Sequence, residues 1–195
     1  MQLMTQKKLK LKKLAFLTGI ALSLSSIFYQ PEMMLSAERL YFQRGNVNGD
    51  NIISSEDALC ILQNIVGTNN FDNSQKIYAD FNNNGSVTPE DALKVLQYIV
   101  GSVDMDSKYN FRNDNLLSQY YTKHGAEMGF SSATDYEREA SYVITSPYAL
   151  YKTEKEDGDG VYYIEATNEF VILSTDGYIR TYFYPDSGKS YFDRQ

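Results

Sequence analysis

Two stretches of this chain place oxygen-bearing residues at alternate positions, 34 residues apart. The first presents Asn46, Asn48, Asp50, Ile52, Ser54 and Asp57, and the second presents Asp80, Asn82, Asn84, Ser86, Thr88 and Asp91. A twelve-residue calcium loop needs oxygen ligands at positions one, three and five, a backbone carbonyl at seven, often a water at nine, and a carboxylate at twelve. Both stretches meet that pattern, with Ile52 and Ser86 offering carbonyls. Gly85, and Asn51 in the first loop, stand at the sixth position, where the backbone must turn left-handed. Two Ca2+ ions are expected. Each loop offers two carboxylates among its side-chain ligands, few enough to predict the weak, millimolar-range binding that suits an extracellular module. Asn46 and Asn51 replace the Asp80 and Gly85 of the second loop, so loop two should fill first.

The elements that hold these loops are duplicated with them. Asp57-Ala58-Leu59, Leu62-Gln63 and Ile65-Val66-Gly67 recur as Asp91-Ala92-Leu93, Leu96-Gln97 and Ile99-Val100-Gly101. Leu59, Leu62, Ile65 and Val66 fall on one face of a helix. No helical pattern precedes either loop, so repeats 46–67 and 80–101 each read as a loop followed by a helix, half of an EF-hand. The arrangement resembles a type I dockerin over residues 44–102, the module that plugs secreted enzymes into cohesin modules of a scaffoldin. That resemblance implies an all-α, calcium-loop fold of two EF-hand-like repeats and a cohesin partner in a cellulosome-like, polysaccharide-degrading system. It also implies that Ile53 pairs with Val87, and that Leu59, Leu62, Ile65 and Val66 pack against Leu93, Leu96, Ile99 and Val100. Ser55-Glu56 and Pro89-Glu90 stand where dockerins commonly carry Ser or Thr, which points to a divergent cohesin.

Residues 1–37 belong to neither repeat. Five lysines between Lys7 and Lys13 precede an apolar run from Leu14 to Phe28, and Leu35-Ser36-Ala37 offers a small-residue cleavage site. That is the pattern of a secretory signal peptide, with no stable membrane insertion after cleavage and an extracellular, scaffold- or surface-attached product. The leader holds five of the 18 basic and one of the 25 acidic side chains, so the remainder carries a formal charge of −11. With Cys60 as the only cysteine, no internal disulfide staples the fold.

Residues 103–114 lack periodicity and read as a linker. The rest, 115–195, reads as a small α+β domain: two helices, then an antiparallel β-meander. The first helix is expected from about Leu116 to Met128, and the second from Thr134, whose hydroxyl forms a capping box with Glu137, to near Ile144. Val161–Ala166, Glu169–Thr175 and Tyr178–Tyr184 are the three strands, joined by Thr167-Asn168 and Asp176-Gly177.

The words His124-Gly125-Ala126-Glu127-Met128-Gly129-Phe130 and Asp176-Gly-Tyr-Ile-Arg-Thr-Tyr-Phe-Tyr-Pro185 resemble small toxin nucleases related to barnase, EndoU, colicin D and RelE. The resemblance implies a metal-independent ribonuclease whose partners are RNA and an immunity protein. In it His124 would be general base or acid, Arg180 would hold the scissile phosphate, Thr181 would orient it, and Glu127 would tune His124. Imidazole has the matching pKa for proton transfer and a planar guanidinium suits a phosphate. Strand alternation puts Arg180 and Thr181 on opposite faces unless a bulge intervenes. Residues 114–195 carry seven basic and fourteen acidic side chains, a balance poorly suited to a polyanion. The alternative is a non-catalytic protein- or glycan-binding module, in which Tyr120, Tyr121, Tyr162, Tyr163, Tyr178, Tyr182 and Tyr184 either stack on ligands or pack across strands.

Overall fold

The computed structural model describes residues 43–195, so the leader at 1–37 lies outside the described residues. Among the described residues no helix is long and apolar enough to cross a membrane. The described residues cluster as one compact unit.

The repeats build two matched helices, α1 (Ser55–Ile65) and α3 (Pro89–Ile99), each starting one turn before the end of its loop. Ser54 and Thr88 are their N-caps, and Asp57 and Asp91 at the third helical position reach back to the cap amides. One aspartate therefore closes a loop and opens a helix. A third helix, α2 (Asn73–Ala79), runs directly into the second loop, contrary to the expectation that neither loop has a helix before it. Its signal is short: Asp72 caps it, receiving the Gln75 amide at 2.8 Å, while Gln75 returns a bond to the Asp72 amide. Seven residues are too few for apolar periodicity to show.

The module's core is also not the expected one. Ala58, Ile61, Ala92 and Val95 are buried with Val47, Phe71, Tyr78 and Phe81, and Ile53 and Val87 lie against this cluster. Leu59, Leu62, Ile65 and Val66, with Leu93, Leu96, Ile99 and Val100, are exposed instead. The two sets are neighbouring stripes of the same helices. Alanines at 58 and 92 let the helices approach, so the slimmer stripe fills the core and the bulkier one faces out.

After the repeats, α4 (Asp114–Tyr120) passes into one π-helical turn, Tyr121–Gly125, so the first expected helix is present but ends in a widened turn. Helix α5 (Ala133–Thr145) follows, capped by Ser132, which accepts the Asp135 amide at 3.1 Å. The expected capping box of Thr134 and Glu137 is displaced: Glu137 accepts the Phe111 amide at 2.7 Å instead. The meander gains a strand, β1 (Leu150–Thr153), beside β2 (Gly160–Ile164), β3 (Glu169–Leu173) and β4 (Ile179–Phe183), all antiparallel in the order β1-β2-β3-β4. A short α6 (Lys189–Arg194) ends the chain.

One sheet face carries Ile164, Val171, Ile179 and Tyr182 against Tyr136, Ala140, Val143 and Ile144 of α5. Val161, Tyr163 and Phe170 on the other face pack against Phe192 of α6. The segment 103–114 joins both halves: Met105 is buried with the repeats, and Phe111 is buried under α5 and bridges to Ile179. A polar seam runs between the halves. Arg44, 1 % exposed, pairs with Glu139 at 3.7 Å, lies over the Tyr142 ring and donates to the carbonyls of Ile77 and Asp80. Ser74 donates to the Ala166 carbonyl.

Candidate functional site

In each loop the side-chain oxygens are turned inward by the loop's own amides. Asp57 accepts from Val47, Asn48 and Ser54 N–H at 2.8, 3.2 and 2.9 Å. Asp91 does the same with Asn82 and Thr88, at 3.2 and 2.8 Å. Asn48 and Asp50 each accept the amide two residues on, as do Asn82 and Asn84. At the first position Asn46 accepts the Gly49 amide at 2.9 Å, whereas Asp80 spans the Asn84 and Gly85 amides at 2.9 and 2.7 Å. These Asx turns need left-handed backbone twice per loop, at the sixth position (Asn51, φ 67°; Gly85, φ 90°) and also at the fourth (Gly49, φ 77°; Asn83, φ 56°). The fourth-position requirement is legible in residue types, since glycine and asparagine are the residues that tolerate it, but was not expected.

The donor set suits a hard cation. All the side-chain donors are oxygens, and Asn46, Asp57, Asp80 and Asp91 are buried. Burial pushes the Asp57 carboxyl up against the pull of three backbone amides, and the nearby Asp50 adds to it. A desolvated carboxylate facing a second one is the electrostatic arrangement that a cation relieves. Calcium, which takes six to eight oxygens in flexible geometry, fits these residues.

Residues 44–100 match the dockerin type I domain. Comparison with curated proteins finds no match for the chain. The dockerin domain thus covers both loops, α1, α2 and α3, and stops short of the α+β domain. On its surface the stripe Leu59, Leu62, Ile65, Val66 and its repeat-related copy Leu93, Leu96, Ile99, Val100 stay in water, with Val66 and Val100 72 % and 76 % exposed. Monomeric proteins rarely leave contiguous apolar patches of this kind without a partner. Cys60 is half-buried on the inner side of α1, and burial, with the Asp57 charge, pushes its thiol up. It is therefore a packing group more than a reactive one.

In the C-terminal domain the candidate residues fall into two places. His124 lies in the π-helical turn, stacked between Tyr120 at 6.3 Å and Phe183 of β4 at 5.3 Å. Burial and the neighbouring Lys123 lower its pKa, and Glu127 opposes the shift. Thr181 is two residues before Phe183 and sits opposite Ile172. The register slips between Ile172 and Leu173, which pair with Thr181 and Ile179, so Arg180 is the bulged residue. Its guanidinium donates to Asp157 and Asp159 and its pKa is raised by those two bonds. Arg180 lines a cleft of about 480 Å³ with Arg112, Tyr120, Asp159, Asp176 and Tyr178; His124 and Thr181 are not among its lining residues. Sequence reasoning missed the carboxylates on Arg180, which arrive from the β1–β2 loop. Several of the tyrosines are structural: Tyr163 and Tyr182 are buried, Tyr162 lies tilted against Tyr151 at 5.0 Å, and Tyr120 stacks on Phe111 at 5.4 Å.

Proposed function

We propose that this is a secreted protein that docks, when calcium fills both loops, onto a cohesin module of a scaffoldin in a cellulosome-like system. The observation that carries this is the pair of repeat-related apolar stripes left exposed on helices whose first turns are fixed by the calcium loops. Six ligand positions in each loop, Asn46 to Asp57 and Asp80 to Asp91, would hold the ions. Calcium there supplies charge neutralisation for desolvated carboxylates; the protein's part is to hold α1 and α3 against each other with both stripes facing solvent. Titration calorimetry of the mature chain against a panel of cohesins, with calcium and with chelator, tests it. Binding that survives chelation, or no binding to any cohesin with calcium present, overturns the reading.

A second reading concerns the C-terminal domain, and one juxtaposition favours it. His124 docks on the strand that carries Arg180 and Thr181, from a π-helical turn of a kind that often marks functional sites, its ring lying on Phe183, three residues past Arg180. With its pKa lowered, the imidazole is neutral near pH 7 and able to take a proton from a ribose hydroxyl. Arg180 would have to exchange Asp157 or Asp159 for a phosphate, a cost that weakens binding. Metal-free cleavage of a mixed RNA pool by the mature chain, lost in His124→Ala, is the expected result. An uncleaved pool at high protein concentration would leave a protein- or glycan-binding role for the domain.

A further inference from the structure

The second calcium loop does not stand alone: two of its residues rest on the C-terminal domain, and a third is tied to it through Arg44. At its fourth position, Asn83 donates its side-chain amide to the Thr145 hydroxyl at 3.0 Å and to the Tyr142 carbonyl at 3.3 Å, both at the end of α5. At its sixth, Gly85 lies so close to Pro147 that a Cβ there would meet the proline ring at 3.3 Å. At its first, the Asp80 carbonyl accepts from Arg44, whose charge is matched by Glu139 of α5. Loop one is braced differently: its internal bonds run to Asp57, and its Val47 carbonyl accepts from Gln75 of α2, within the dockerin domain.

We infer that Asn83 and Thr145 are positioning residues for the second calcium site, and that the C-terminal domain pre-forms that site and is stabilised in return when calcium binds. The inference rests on the reading of 80–91 as a calcium loop. Its physical basis is preorganisation. A loop of oxygen ligands loses conformational freedom on closing around an ion, and contacts that already fix its first, fourth and sixth positions remove part of that loss. Linkage then makes the effect reciprocal: whatever α5 contributes to calcium affinity at loop two, calcium contributes to the stability of α5. Loop one, braced within the dockerin domain, feels neither effect through these contacts. Two calcium sites of one repeated sequence are thereby made unequal by what each one touches.

The experiment is a site-resolved calcium titration of the mature chain, following the Gly49 and Gly85 amide resonances, on the native protein, Thr145→Val and Asn83→Gly. Thr145→Val removes the hydroxyl that accepts from Asn83 at nearly constant shape, Asn83→Gly removes the amide at a φ of 56° that glycine adopts freely, and each is expected to weaken calcium at Gly85 about two- to tenfold, leaving Gly49 unchanged. Hydrogen exchange over 133–145 in the native protein is expected to slow when calcium is added. Equal weakening of both loops, or native affinity in both variants together with exchange over 133–145 indifferent to calcium, overturns the inference alone. A Gly85 amide that never responds to calcium overturns the inference and the calcium-loop reading together.

Discussion

The exposed stripe on α1 and α3 makes a prediction whose size follows from how much of each side chain is in water. Val66 and Val100 end the two helices and are 72 % and 76 % exposed. Changing each to alanine removes two methyl groups, worth about 1.6 kcal/mol if transferred completely from water at ~0.8 kcal/mol per group. About three quarters of that is still available to a partner, so the pair should contribute roughly 2.4 kcal/mol to docking, a fifty-fold weakening by ~1.4 kcal/mol per tenfold. The buried quarter leaves only about 0.8 kcal/mol of folding stability at risk for the two together. Ile61, 0 % exposed on the neighbouring stripe, is the opposite case. Ile61→Ala should cost about 2–5 kcal/mol of folding stability through lost burial and a cavity, lowering Tm by roughly 4–20 °C for a chain of this size. Its folded fraction should still dock with native affinity. The measurements are urea melts of the calcium-loaded chain and calorimetric titration with cohesin. If the valine pair unfolds the module while Ile61→Ala leaves it intact, the assignment of the two stripes is reversed. Unchanged docking by the valine pair would remove this surface from the interface.

Three further outcomes follow from the seam and the loops. Arg44→Met leaves Glu139 without its cation and takes the guanidinium donor from the Ile77 and Asp80 carbonyls, of which Asp80 keeps the Asn83 amide, so it should cost about 3–5 kcal/mol in a urea melt; adding Glu139→Gln should recover part of the loss, and strict additivity would show that the two do not interact. Glu169 is fully buried and burial, reinforced by the Glu139 charge, pushes its pKa up to about 8, with the Thr167 and Tyr182 hydroxyls and Arg44 opposing. A carboxyl whose folded pKa lies above its unfolded value binds more protons when folded, so stability should fall as pH rises from about 4.5 to about 8; Glu169→Gln should flatten that slope, and an unchanged slope would show that another group sets it. Gly85→Ala forces a side chain onto φ 90° beside Pro147 and should cost about 1–2 kcal/mol by chemical denaturation; a native-like melt would mean that the loop can relax away from the left-handed turn.

The loops were legible because calcium chemistry fixes residue type at each position, and the helices after them because the repeat states the apolar pattern twice. Which stripe is core was not legible. Leu59 and Ile61 are equally apolar, and the deciding fact is the small side chain of Ala58 and Ala92, which sets how closely two helices approach. Helix α2 was missed because one capping box over seven residues is weaker than any periodic signal. In the C-terminal domain the meander was readable from Asp176-Gly177 and alternation, but β1 was not: Leu150–Thr153 is short and mostly exposed, and it is a strand because β2 offers it a free edge. The engagement of Arg180 by Asp157 and Asp159 is a contact between residues more than twenty apart, beyond the reach of local pattern.

Helix α2 is a party wall. Ile77 belongs to the core under α5 and Tyr78, the next residue, to the core of the dockerin domain. Consecutive helical residues point about 100° apart, so this single peptide step sets the bearing of one half of the molecule against the other. A chain docked through α1 and α3 would then carry its C-terminal domain in one fixed heading, with no swivel between them. Inserting one residue into α2 would turn that heading by about 100° and send Ile77 and Tyr78 toward the wrong cores. The helix should therefore accept changes of side chain on its outer surface far better than any change in its length.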